Sequence, residues 1–372
     1  MTTEPRRLRI AIVGPTHPYK GGIAQHTTEL ARRLSAAGHD VRLVSWSAQY
    51  PALLYPGQQT VAEPEIPPYA ATTYPLSWRR PDSWWRVGRR LAAEVDWVVV
   101  VMVTPVQVPA YLTILRAMRG GRARVLALCH NVLPHERRGV DERLVRAVLS
   151  RADAVLVHSP AEAALARSLT GVHVAVCPLP AFLRPAPPDL SETRSVRRRL
   201  LFFGLVRPYK GLEVLLRALP SVPDVDLVVA GEFWQGVDDT RALVDSLGLT
   251  GRVEIRPGYV PSDDVPALFR SADALVVPYL SSTGSQHAYL AFEYGIPVVA
   301  TRVGALPEQV RDGVDGLLCE PGDADSLAAA LRRLYEPGML DRLRSGIRPV
   351  DADAQWKDYL DVLVSTLTGA VR

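Results

Sequence analysis

The sequence predicts an α/β protein built from two doubly wound parallel-sheet domains, and three observations carry that prediction. Short apolar, β-branched runs alternate with amphipathic helical stretches along nearly the whole chain. The pattern that opens the chain returns half a chain later, and a proline-rich break lies between the two halves. Alternating strands and helices specify a parallel sheet covered by helices on both faces.

In the first half, an opening strand ends at Gly14 and a helix over 22–37 is closed by Gly38. Strands are expected at 41–46, 96–103, 124–131, 154–159 and 173–178, with helices at 109–119, 141–150 and 160–169. The uncharged run Trp97 to Leu115 is nearly long enough to span a membrane, but Thr104, Pro105, Gln107 and Pro109 interrupt it. It reads as a buried strand followed by a loop. The apolar stretch near the N-terminus is too short for an export signal.

The segment 178–195 carries five prolines and reads as a linker. After it come strands RLLFFG, VDLVVAG, RVEIRPG, ALVVPY, IPVVAT and GLLCE, with helices between them. A last helix, about 352–368, places Trp356, Tyr359, Leu360, Leu363 and Leu367 at helical spacing. The expected organisation is therefore an N-terminal domain over 1–180, a linker over 181–197, a C-terminal domain over 198–350, and a helix over 351–372 that crosses back to the N-terminal domain.

The internal echo is specific. Only three lysines occur among the 43 basic residues, and two of them, Lys20 and Lys210, sit in the tetrapeptide PYKG, 190 residues apart. Each lysine follows a strand-ending glycine, Gly14 or Gly204, by six residues, and each precedes an amphipathic helix. In doubly wound sheets ligands bind beyond the carboxyl ends of the strands, where loops and helix N-termini present backbone N–H groups. Glycines let backbone approach such a ligand closely, and Lys210 with Arg207 suits an anion such as a diphosphate. Neither loop has the spacing of a P-loop or of a dinucleotide fingerprint.

Composition narrows the field further. The 372 residues are 48% apolar and 22% charged, which excludes disordered, collagenous and small disulfide-framework classes. Cys129, Cys177 and Cys319 lie far apart, so no zinc site or disulfide framework is read, and a reducing cytoplasmic setting is expected. Residues 1–190 hold 23 Lys and Arg against 14 Asp and Glu, whereas the whole chain carries only +4. Either the first half meets something anionic or an arginine-rich composition is spread over solvated faces. The segment 76–91 combines Trp78, Trp84 and Trp85 with five arginines, which suits an interfacial surface at a membrane or a lipid-linked acceptor; an ordinary helix with inward tryptophans is the alternative. No nucleic-acid reading module accompanies it.

Four stretches in order, GPTHPYKGGIAQHTTELARRLSAAGHDVRLV, CHNVLPHE, FFGLVRPYKGLEVLL and SADALVVPYLSSTGSQHAYLAFEYGIPVVATRVGALPEQVRDGVDGLLCEPGD, resemble the family 4 retaining glycosyltransferases of GT-B fold. The resemblance covers nearly the whole chain. It implies two Rossmann-like domains facing a central cleft, a nucleotide-sugar donor on the C-terminal domain and a hydroxyl acceptor on the N-terminal one. It also implies a hexose transferred with retention and no metal or other cofactor, because basic side chains and helix N-termini carry the leaving charge. The acceptor class stays open among lipid-linked, polysaccharide and secondary-metabolite compounds, as does oligomeric state.

Residue by residue, the resemblance places Gly21 and Gly22 near the donor phosphates and sugar, His130 near the sugar ring, and Arg207 and Lys210 on the diphosphate. Tyr259 and Val260 match the loop along the nucleobase, and Gly284 and Ser285 the loop at the sugar and phosphate. His135 and Glu136 are candidates for the acceptor side. Two departures stand out. The family's arginine five residues before the lysine is Leu205 here, and its paired glutamates fall on Ser282 and Leu290. Glu293, three residues after Leu290 on nearly the same helical face, is the candidate for the ribose. The missing glutamates leave a non-catalytic nucleotide-sugar-binding or scaffold protein open, and the architecture is shared by sugar epimerases and glycoside phosphorylases. The pairs Asp224 and Asp226, Asp323 and Asp325, and Asp351 and Asp353 imitate a metal motif, but their positions suit helix caps and strand entries.

Overall fold

The computed structural model describes residues 7–51, 59–61, 67–134, 139–181, 198–261 and 263–369. His135, Glu136 and residues 182–197 of the expected linker lie outside the described residues. Contacts divide the chain into two compact units, Met1–Phe182 with Asp353–Arg372, and Leu183–Ala352.

The first unit runs β1 (Arg9–Val13), α1 (Gly22–Ala36), β2 (Asp40–Ala48), β3 (Thr72–Ser77), α2 (Pro81–Glu94), β4 (Trp97–Met102), α3 (Val108–Ala117), β5 (Arg124–Cys129), α4 (Asp141–Leu149), β6 (Ala154–Val157), α5 (Pro160–Leu169) and β7 (His173–Val176). Its seven strands are parallel in the order β3-β2-β1-β4-β5-β6-β7. Alternate residues of each strand feed opposite faces. Ile10 and Ile12 join one core with Leu30 and Leu34 of α1, whereas Ala11 and Val13 join the other with Val87, Tyr111 and Val145 of α2 to α4. Buried on both faces, the central strands read as continuous apolar runs, of which WVVVVM in β4 is the extreme case.

The second unit runs β8 (Arg198–Phe203), α6 (Leu212–Ala218), β9 (Val225–Gly231), α7 (Asp238–Ser246), β10 (Val253–Pro257), α8 (Val265–Arg270), β11 (Ala274–Val277), α9 (Gln286–Glu293), β12 (Val298–Thr301), α10 (Leu306–Gln309), β13 (Gly316–Cys319), α11 (Ala324–Leu334) and α12 (Met339–Gly346). Its six parallel strands take the order β10-β9-β8-β11-β12-β13. In both sheets the order reverses beside the first strand, so the switch points fall between β1 and β4 and between β8 and β11.

The last helix, α13 (Ala352–Thr368), packs on the first unit. Trp356, Tyr359, Leu363 and Leu367 enter the core that holds Ile10 and Ile12, and the Trp356 indole N–H donates to the Ala181 carbonyl at 3.1 Å. Arg33 of α1 pairs with Asp353 at 2.8 Å.

Candidate active site

In the first unit the chain leaves β1 at Gly14, which lies so close to the Val101 side chain that an added Cβ would stand 2.8 Å from it. The loop that follows is tied down from several sides. Thr16 and Thr28 share a buried hydroxyl contact of 2.6 Å, Tyr74 of β3 donates its hydroxyl to the His17 carbonyl at 2.7 Å, and Lys20 N–H bonds the Gln59 carbonyl. Gly21 then opens α1 with φ of 102°, a value that favours glycine, and the space a Cβ would fill there is open.

His130 follows β5 directly and is 5% exposed. Its ring centroid lies 4.8 Å from that of His26 in α1 and 4.9 Å from that of His158, which follows β6. Trp356 stacks on His26 at 5.2 Å, and Tyr359 meets His26 and His158 edge-on or tilted. Burial pushes all three imidazoles below the ordinary histidine range, and His26 and His158 push His130 further down. His130 is therefore a neutral imidazole near pH 7, able to hydrogen-bond but not to supply a resident positive charge.

In the second unit two loops meet at the switch point. After β8, Gly204 at φ 99° lies against the His287 ring, and a short turn over Pro208–Lys210 ends at Gly211 in the left-handed region. Gly211 abuts the carbonyl of Pro278, and Leu280 N–H donates to the Tyr209 carbonyl at 2.7 Å, which fixes the loop after β11 against the loop after β8. The Arg207 guanidinium lies 4.4 Å above the Trp234 ring. Lys210 is only 7% exposed, its Nζ 5.1 Å from the Tyr279 ring centroid. Burial lowers the Lys210 pKa and Arg207 adds to the effect, with Tyr209 opposing it. His287 is driven down to about 3 by burial and then by the Lys210 charge. Two cations and a neutral imidazole thus stand together where the loops after β8 and β11 meet.

The loop before α9 is self-braced. Ser282 Oγ accepts from Gly284 N–H at 2.9 Å, and Ser285 N–H donates to Gln309 Oε1 at 2.8 Å. Gly304 sits directly beneath the Ser282 carbonyl, where a side chain would collide. Beyond β10, two strands from β8, Tyr259 and Val260 line a separate cavity of about 480 Å³ together with Arg199, Arg256, Gly258 and Asp264.

Residues 20–181 match the model described as Glycosyltransferase Family 4, and residues 197–337 the one described as Glycosyl transferases group 1. The chain belongs to the family 4, group 1 glycosyltransferases. Among curated relatives it is 35% identical over 150 residues to a D-inositol 3-phosphate glycosyltransferase of Mycobacterium sp. strain KMS, covering 39% of this chain and 34% of that one. To the protein of the same name from Salinispora arenicola it is 32% identical over 210 residues, covering 50% and 47%. The chain thus spans a third to a half of the length of these relatives. Its fold is that of sucrose-phosphate synthase from Thermosynechococcus elongatus, with TM-score 0.76 and 20% identity over 98% of this chain and 100% of that one. It is likewise that of Anabaena HepE in complex with UDP-glucose, with TM-score 0.74 and 19% identity over 96% and 100%.

Within this chain the residues singled out from sequence divide into groups. Arg207, Lys210, Gly284 and Ser285 stand on the two loops that meet at the β8 and β11 switch point. Gly21 and Gly22 begin α1 beside the other switch point, and His130 lies one strand further along that sheet. Tyr259 and Val260 belong to the separate cavity, and Glu293 ends α9, about 10 Å along the helix axis from its first turn. Partial burial raises the Glu293 pKa. Asp323 caps α11, accepting from the N–H groups of Asp325 and Ser326 at 2.9 Å each. Among the described residues no group of three His, Cys, Asp or Glu side chains is placed to hold a metal ion.

Sequence reasoning missed His26, His158, Tyr279, His287 and Gln309. His158 carried a signal, since it ends its strand as His130 ends the neighbouring one. The others are brought in by tertiary packing between distant elements.

Proposed function

We propose that the chain transfers a hexose from a nucleoside diphosphate sugar to an acceptor hydroxyl, with retention of configuration and without a metal ion or other cofactor. The bond from the anomeric carbon to the diphosphate breaks, the acceptor oxygen bonds that carbon from the same face, and the acceptor proton passes to the departing phosphate oxygen. Arg207 and Lys210 carry the negative charge that develops on the leaving group. Within the second unit, Gly284 and Ser285, braced by Ser282, bracket the sugar and phosphate. Tyr259 and Val260 line the space for the base, and Glu293 is assigned to the ribose.

The observation that carries this reading is the Arg207 and Lys210 corner. Lys210, 7% exposed, and Arg207, stacked on the Trp234 indole, stand on one short loop and concentrate positive charge at the carboxyl end of β8. Relatives named glycosyltransferases and a neighbour described with UDP-glucose support a nucleotide-sugar ligand.

The test is thermal unfolding with UDP, GDP, TDP and ADP, each with and without EDTA, followed by turnover assays with sugars of the base that binds. A ligand at a hundred times its Kd adds about 2.7 kcal/mol. A shift with one diphosphate that survives EDTA, with transfer to an alcohol acceptor and retained configuration, is expected. No shift with any of them overturns the donor site. A second reading, binding without turnover, rests on Ser282, whose hydroxyl is engaged with Gly284 where the family has a glutamate; a shift without transfer would select it.

A further inference from the structure

The helix α2 and the turn before it form a surface that nothing in the reaction uses. Its inner side is locked. Gly88 lies so close to the Ile114 carbonyl and Ala117 of α3 that no side chain fits between, and Ser83, Val87 and Leu91 are buried. Trp84 also turns inward, its indole N–H donating to the Ser77 carbonyl at 2.9 Å. The other two tryptophans of the segment do the opposite: Trp78 is 37% and Trp85 50% exposed. Around them the outer arc of the helix presents Arg86, Arg89 and Arg90, with Arg79 and Arg80 just before it; the Arg79 guanidinium stands 5.5 Å from the Trp78 ring.

Charge on this face is unbalanced. Residues 76–91 hold five arginines and one acid, Asp82, and Arg80 and Arg86 both pair with it. Arg90 pairs with Glu94 at 3.1 Å. Arg79 and Arg89 are exposed cations, and Arg89 lies one helical turn from Trp85. Among the described residues no helix is long and apolar enough to cross a membrane.

We propose that this face docks the protein on an anionic lipid bilayer. Exposed indoles set among guanidinium groups match the boundary of a bilayer in both respects. The rings enter the region between headgroups and acyl chains, and the arginines meet lipid phosphates and the negative surface potential. An acidic protein would also satisfy the arginines, and the vesicle experiment separates the two, because such a partner predicts no pelleting with lipid. The locking of α2 onto α3 keeps the outer arc preformed, so docking needs no refolding of the helix.

The experiment is co-sedimentation of the full chain with vesicles of phosphatidylcholine alone and of phosphatidylcholine with phosphatidylglycerol, at low and high salt. Binding is expected only to the anionic vesicles, weakened by salt. Reversing two charges in Arg79→Glu with Arg89→Glu is expected to cost at least about twenty-five-fold in affinity, from about fivefold for each positive charge lost. Trp78→Ser with Trp85→Ser is expected to weaken binding at both salt concentrations, and brominated acyl chains should quench wild-type emission more than that of this variant. Unfolding midpoints of all variants, expected to match wild type, show that the fold is intact. Equal pelleting with neutral vesicles, no pelleting at all, or folded variants that bind like wild type would each overturn the proposal.

Discussion

The imidazole of His130 stands edge-on to that of His26, centroids 4.8 Å apart and ring planes at 88°, inside the core of the first unit. With His158 and the cover of Trp356 and Tyr359, the pair forms a histidine cluster that is stable only while neutral. The sign follows from linkage. Burial lowers the folded pKa of each imidazole, to about 4 for His158, so below pH 6.5 the unfolded chain binds more protons than the folded one. Stability is fully present above about pH 6.5 and is lost as the pH falls toward the folded values, at up to about 1.4 kcal/mol per pH unit for each histidine. Urea midpoints at a series of pH values check this. Wild type should fall steeply between neutral pH and about pH 4, and His158→Gln should have a shallower slope; parallel curves would refute the assignment.

Lys210 should show opposite effects on stability and function. Its ammonium is buried beside Arg207, so Lys210→Met removes a desolvation cost and keeps most of the packing against Tyr279. The unfolding midpoint should hold or rise. On the proposed reaction the same change removes one of the two cations assigned to the leaving diphosphate, and kcat/KM should fall by roughly 10²- to 10³-fold. A variant that is both less stable and fully active would show that Lys210 is a packing residue. Calorimetry of diphosphate binding separates the two outcomes without needing the acceptor.

Gly204 marks a place where backbone conformation and side-chain packing make the same demand. Its φ is 99°, and a Cβ would stand 2.5 Å from His287 Cε1. Gly204→Ala should cost about 1–3 kcal/mol. Adding His287→Ala should recover the part due to collision and leave the part due to φ. A double-mutant cycle in denaturant measures the split, and purely additive losses would mean that the ring does not press on this turn.

These residues also show what could be read in advance. Helix 160–169, strand 225–231 and helix 352–368 were legible because apolar period and flanking Gly, Pro or Ser agree there. The strand Thr72–Ser77 was not, since TTYPLS lies at the sheet edge, is exposed along much of its length, and contains a proline. In the loops after β1 and β8, Gly14, Gly21 and Gly204 were legible because a close approach or a positive φ demands glycine. The partners His26, His287 and Gln309 were not, because they reach the site from helices whose packing no local pattern announces.

Gln309 gives the last test. Its Oε1 accepts the Ser285 N–H at the entrance to α9 and so holds the loop that would face the sugar and phosphate. Gln309→Leu leaves that N–H without its acceptor and should destabilise by about 1–3 kcal/mol. Gln309→Glu keeps an acceptor of the same shape and places a negative charge near a helix N-terminus, where it is tolerated or mildly stabilising. Stability of Gln309→Glu should therefore stay within about 0.5 kcal/mol of wild type. Its donor KM should nevertheless rise several-fold, because the added carboxylate repels a diphosphate sugar bound at this loop. If Gln309→Glu binds the diphosphate as wild type does while Gln309→Leu unfolds early, the loop is anchored as described but the donor's charge lies elsewhere in the unit.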